Sequence, residues 1–257
     1  MNQNSATAIK MNWRAACRKK ANRAAEIEER LKWGVAADEP IPFRFRWEHV
    51  QQVVQTGLWL AEETGADPEI VEAAAWLHDV RKTDPNHGLA GARAARDFLP
   101  TTDFPPAKID AVVQSISQHV GLYRGSPPRP PILGENSPAE PDELPPNLEG
   151  QGGAEPPPLE PLEAAVLWDA DKLTKLGVQA LAYYLSGPRM HNLTLAQRRE
   201  EAVKTTESIF ARTVASMNTP PARRLAAQRL DDMQTALAAW TREETIGRRE
   251  ISREEIR

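Results

Sequence analysis

The chain has 257 residues, 40% of them hydrophobic, with 32 Lys and Arg against 36 Asp and Glu and a net charge of -4. That length fits one large domain or two small ones around a buried core, and the acidic balance disfavours nucleic acid as a partner. The single cysteine, Cys17, excludes a disulfide framework and a thiolate zinc site, and no apolar run approaches the ~20 residues that span a bilayer. Lys10, Arg14, Arg18, Lys19 and Lys20 are followed by no apolar segment, so a secretory signal is not expected and a cytoplasmic setting is.

Nearly every periodic segment has helical spacing, and none alternates with period two. Residues 11–33, rich in Ala, Arg, Lys and Glu, predict a helix that Pro40 and Pro42 separate from the next. From Trp47 to Glu63, Val50, Val53, Val54, Leu58 and Ala61 share one face. Asp67 is a candidate N-cap for a helix that opens at Pro68 and runs through Val80. Asn86 is placed to cap 87–99, and Pro106 to start a helix reaching about Val120. Residues 124–161 hold more than half of the chain's prolines and predict a disordered surface insertion, since such a segment has little to bury. Helices resume over Leu162 to about Leu185, over 194–217, and from near Pro221 to the C-terminal region. The expectation is an all-α protein of about eight or nine helices. It forms one domain over 1–257, with 1–40 as an N-terminal helical extension and 190–257 as C-terminal helices.

Ligand-type residues fall on the predicted core faces. His49 has Val53 at i+4, His78 shares a face with Val71, Ala74 and Ala75, and His119 shares one with Val112 and Ile116. Asp171 follows Leu167 by one helical turn, and His87 opens a helix whose neighbours Ala90, Gly91 and Ala94 are small. One inward histidine is usually an ordinary core residue. An inward aspartate is almost never buried unless it is paired or bound to metal. Five such residues on five helices are satisfied together by a shared divalent cation, with neutral imidazoles and carboxylates as its ligands. His and Asp without Cys favour Mn, Fe, Co, Ni, Mg or catalytic Zn. Arg81 and Lys82, directly after His78-Asp79, suit a helix end that faces phosphate.

His49 in "WEHV", then "AAWLHDVRK", then Asp171 in "DADKL" form an ordered His…His-Asp…Asp pattern. This resembles the HD-domain metal-dependent phosphohydrolase superfamily. "FRFRWEHVQQVVQTGLWLAEETGADPEIVEAAAWLHDV" is similar to that family's first two core helices, and residues 208–240 resemble the tail of a subfamily of small bacterial HD hydrolases. The resemblance implies an HD-type helical bundle with His49, His78, Asp79 and Asp171 as metal ligands. "NHGLAGA" and "SISQHVG" resemble segments where some HD enzymes place extra histidines. By that likeness His87 and His119 either complete a site for a second ion or bind substrate phosphate at a one-ion site.

The implied activity is hydrolysis of a phosphoester or phosphoanhydride in a nucleotide-like small molecule, by water that the metal activates. Asp79 would bind metal and orient the water, while Lys82 and Arg81 would hold phosphate and stabilise the growing charge. The chain departs from the family's usual "HDIGK" in having Arg81 at the glycine. A second reading is a regulatory HD protein that binds metal or nucleotide without turnover. An RNA phosphodiesterase is disfavoured by the acidic balance, no membrane partner is expected, and a homodimer is left open. Asp169 is expected to cap or support, or simply to be solvated. Trp76 and Trp168 are expected to pack rather than stack on a base, and His191 to lie in an exposed loop.

Overall fold

The computed structural model describes residues 10–124 and 157–254. The expected disordered insertion falls almost wholly on residues 125–156, outside the described residues. Every regular element among the described residues is helical: α1 (Trp13–Trp33), α2 (Phe45–Thr64), α3 (Pro68–Leu77), α4 (His87–Phe98), α5 (Ile109–Gln118), α6 (Leu162–Leu173), α7 (Val178–Ser186), α8 (Leu195–Thr205), α9 (Ala211–Ala215) and α10 (Pro220–Glu254). The expected all-α class is therefore what the chain adopts. No helix among these is long and apolar enough to cross a membrane.

The helix limits follow local chemistry. The Asn12 side chain accepts from the Ala15 amide at the start of α1, and Gly34, at φ 64°, ends it in the left-handed conformation. Asp67 accepts from the amides of Glu69 and Ile70 ahead of Pro68, as its position in the sequence predicts. Thr194 and Gln197 form a reciprocal capping box on α8.

Two expected helices are divided and a third is shortened. The run from Leu162 breaks at Gly177, whose φ of 97° suits glycine alone and against which the Arg229 side chain packs. The run over 194–217 passes through a π-turn at Thr206–Phe210, where the Thr206 hydroxyl donates to the Ala202 carbonyl. The helix from Pro68 stops at Leu77 instead of Val80, and tight turns carry the chain through residues 78–84.

Helix α2 lies against α1, α3 and α6, and α5 lies against α3, α4 and α6. Between them Val53, Leu60, Val71, Leu77, Leu99, Phe104, Val112, Ile116, Leu167 and Trp168 form one apolar core. A smaller cluster of Ala180, Leu181, Ala202, Met233 and Leu237 joins α7, α8 and α10. Trp168 is buried in the main core, and Trp76 stacks on Trp47 at 5.8 Å, so both pack as expected. His191 is exposed, with its ring edge-on to Trp33.

Candidate metal centre

Helix ends bring the polar residues of the core together. His49 projects from the second turn of α2, His78 and Asp79 follow α3, His87 opens α4, His119 follows α5, and Asp171 sits in the last turn of α6. Stopping α3 at Leu77 lets the neighbours His78 and Asp79 turn to the same point. Close packing makes room for this. A Cβ on Gly91 of α4 would meet the His78 carbonyl oxygen at 3.0 Å, so glycine there sets the approach of α4 to the α3 end.

Asp79 is the hub. Its Oδ2 lies 3.3 Å from His78 Nε2 and 3.7 Å from His49 Nε2, while its Oδ1 lies 3.4 Å from His119 Nε2 and 3.8 Å from His87 Nε2. The rings form a chain, with centroids 5.5 Å apart for His49–His78 and 5.1 Å apart for both His78–His119 and His87–His119. Asp171 meets this group through Oδ1, 3.3 Å from His49 Nε2. Two triads, His49–His78–Asp79 and Asp79–His87–His119, each have ligand atoms within 4.8 Å of one another. Every one of these residues except His87 is buried.

The outer nitrogens decide what the inner ones offer. His78 Nδ1 lies 2.7 Å from the Ala75 carbonyl and His119 Nδ1 lies 2.6 Å from the Ile116 carbonyl, so both nitrogens carry the proton. Thr174 Oγ1 donates to the Asp171 carbonyl and therefore accepts from His49 Nδ1, at 3.1 Å. In the neutral state all three rings thus present an Nε2 lone pair to the carboxylates. Burial favours that state: it lowers the His49 pKa to about 4 against the pull of Asp171, lowers His87 to about 3 with Lys82 reinforcing it, and lowers His119 as well.

Lone pairs facing carboxylate oxygens repel unless a cation lies between them. His78 Nε2 shows this directly. It is buried without a hydrogen-bond partner, although Asp79 Oδ2 is 3.3 Å away. With nitrogen and oxygen donors only, the set fits a divalent transition metal or magnesium. For Asp79, burial acts to raise the pKa, but the charges of Lys82 and Arg46 hold the carboxyl well below its usual range. For Asp171, the same opposition is won by the charges of Lys172 and Lys175. Both carboxylates are therefore ionised.

Of the expected phosphate-holding pair, Lys82 reaches the centre and Arg81 does not. Lys82 Nζ lies 3.1 Å from Asp79 Oδ1 and 3.2 Å from His87 Nε2. The Arg81 side chain is 54% exposed, with its guanidinium on Asp84 at 2.8 Å, because the turn after Asp79 directs it to solvent. Sequence reasoning passed over Arg46, which donates to Asp79 Oδ2 at 2.9 Å, and Lys175, which lies 3.3 Å from Asp171 Oδ2. Their signal was spacing: Arg46 precedes His49 by three residues and Lys175 follows Asp171 by four, one turn each along a core face. Lys172 is also buried here, donating to Asp171 and, at 2.9 Å, to the His119 carbonyl. Asp169 faces away and caps: its carboxylate accepts from the amides and side chains of Asn218 and Thr219, just before α10.

The HD domain pattern matches residues 46–176, about half of the chain, and the protein belongs to the HD-domain family. Its fold is similar to that of YpgQ from Bacillus subtilis, which is 19% identical, with 88% of this chain and 95% of YpgQ covered and a TM-score of 0.53. A Lactobacillus plantarum protein is 19% identical, with 91% and 97% covered and a TM-score of 0.53. An HD-superfamily hydrolase from Bacillus thuringiensis is 18% identical, with 89% and 98% covered and a TM-score of 0.52. No curated protein matches the chain.

Proposed function

We propose that the chain is a metal-dependent phosphohydrolase that cleaves a phosphoester or phosphoanhydride in a nucleotide-like small molecule. One observation carries this reading: three buried imidazoles, each with Nδ1 committed to an outer acceptor, aim Nε2 at two ionised carboxylates. A divalent cation held by His49, His78, Asp79 and Asp171 would supply Lewis acidity toward water and a phosphoryl oxygen. His87 and His119, on the other oxygen of Asp79, would hold a second ion. Asp79 orients the attacking water. Lys82, beside both Asp79 and His87, donates to the substrate phosphate and stabilises charge as the P–O bond breaks. Lys175, 32% exposed and 3.3 Å from Asp171 Oδ2, offers a further ammonium to the same phosphate. The catalytic unit is read as one domain over 1–257, acting in the cytoplasm.

The test is a phosphate-release screen over nucleoside mono-, di- and triphosphates and cyclic nucleotides, with added Mn, Co, Ni or Mg. Turnover that needs an added metal and is lost in Lys82→Ala supports the reading. Metal binding without turnover on any of these substrates would favour a regulatory HD protein instead.

A further inference from the structure

Helix α1 precedes the matched HD domain, which begins at residue 46, yet it buries two consecutive carboxylates. Glu28 and Glu29 are 3% and 0% exposed, a costly placement for anions unless each is paired. Glu29 has a structural task. Its Oε1 accepts from the amides of Arg46 and Trp47, both at 2.9 Å, and so caps α2 from outside, while Oε2 takes Arg44 Nε at 2.6 Å. Glu28 does something else. Its Oε1 accepts from Arg46 Nη2 at 2.8 Å, and the other terminal nitrogen, Nη1, donates to Asp79 Oδ2 at 2.9 Å. The Arg46 guanidinium thus bridges a carboxylate of the N-terminal helix to the hub of the centre.

We propose that Glu28 is a positioning residue for the metal centre, acting through Arg46 on Asp79; this rests on the metal-binding reading above. A guanidinium beside Asp79 Oδ2 competes with a divalent cation for that oxygen and repels it. Glu28 neutralises the guanidinium and fixes which of its N–H groups faces Asp79. The carboxylate is then oriented while its remaining lone pairs stay directed toward His49 and His78. Lys32, 2.8 Å from Glu28 and half exposed, contributes from the solvent side. The N-terminal helix thereby belongs to the functional unit rather than merely covering it.

The test uses the full chain, stripped of metal with a chelator and titrated calorimetrically with Mn(II) alone, well below the Tm of each variant. Glu28→Gln, which keeps the shape and removes the charge, is expected to weaken Mn(II) binding about tenfold. Glu28→Asp, which keeps the charge, is expected to recover most of that loss. In an Arg46→Gln background, Glu28→Gln is expected to change affinity no further, because the group it acts through is gone. Glu29→Gln is expected to lower Tm without this dependence on Arg46. An unchanged affinity in Glu28→Gln, or an equal loss in both backgrounds, overturns the proposal and leaves the metal centre standing. A wild-type chain that binds neither Mn(II) nor Co(II), Ni(II), Mg(II) or Zn(II) overturns the metal centre, and this proposal with it.

Discussion

Thr174 Oγ1 stands 3.1 Å from His49 Nδ1 and gives its own proton to the Asp171 carbonyl, so one hydroxyl fixes the tautomer of one proposed ligand and braces the turn that carries another. Outer partners of this kind set the orientation and basicity of a ligating imidazole, and removing one typically costs about 10- to 100-fold in metal affinity. Thr174→Val is therefore expected to weaken Mn(II) binding within that range while the fold survives. Calorimetric titration beside a thermal melt checks this, and an unchanged affinity would show that His49 needs no such partner.

The buried imidazoles give the metal-free protein a defined acid response. His49 takes its proton near 6.5 when unfolded, but burial lowers that value to about 4 in the folded state. Between these values the unfolded chain binds more protons, so stability falls as pH drops from 6.5 toward 4, by about 3 kcal/mol from this residue. Asp79 and Asp171, held well below 3.8, lose their contribution at still lower pH. Urea unfolding across this range should show the decline, and His49→Gln should flatten it. A metal-free protein that gained stability on acidification would mean that the ring is buried as its cation.

Asp169 and Asp171 lie two residues apart with separate tasks. Asp169→Ala removes an acceptor that takes four hydrogen bonds from Asn218 and Thr219, and is expected to cost about 3 kcal/mol. Its Tm should fall, while metal content below that Tm stays at the wild-type level. Loss of metal in a folded Asp169→Ala protein would assign this residue to the centre as well.

Gly91 tests the packing that brings α4 to His78. A methyl group there would meet a backbone oxygen at 3.0 Å, and backbone cannot yield as a flexible side chain would. Although alanine is the better helix former, Gly91→Ala is expected to destabilise by about 1–2 kcal/mol. Denaturant unfolding reads this directly, and a gain in stability would show that α4 can shift without cost.

The all-α class and the helices that carry the candidate site were legible because apolar periodicity and caps such as Asp67 are local signals. The inward placement of His49, His78, His119 and Asp171 was legible for a related reason: a polar residue on a core face breaks an apolar pattern. Arg46 and Lys175 escaped because a long cationic side chain looks the same in sequence whether it snorkels to solvent or turns inward. Arg81 misled for the converse reason, since its neighbour Lys82 does reach the centre and only the turn geometry after Asp79 separates them. The break at Gly177 rests on a positive φ, and the Arg229 side chain from α10 lies 3.3 Å from where a Cβ would stand, a contact that no local window contains. The bridge from Glu28 through Arg46 to Asp79 joins three segments and is visible only in the fold.

In the proposed function His78, just after α3, and Asp171, in α6, hold one divalent cation. Elemental analysis of the purified protein beside His78→Ala and Asp171→Ala tests it most directly. A divalent metal in the wild type, about two per chain if both triads are filled, and at least one ion fewer in both variants in folded form is the expected result. Equal metal content in all three proteins would contradict it.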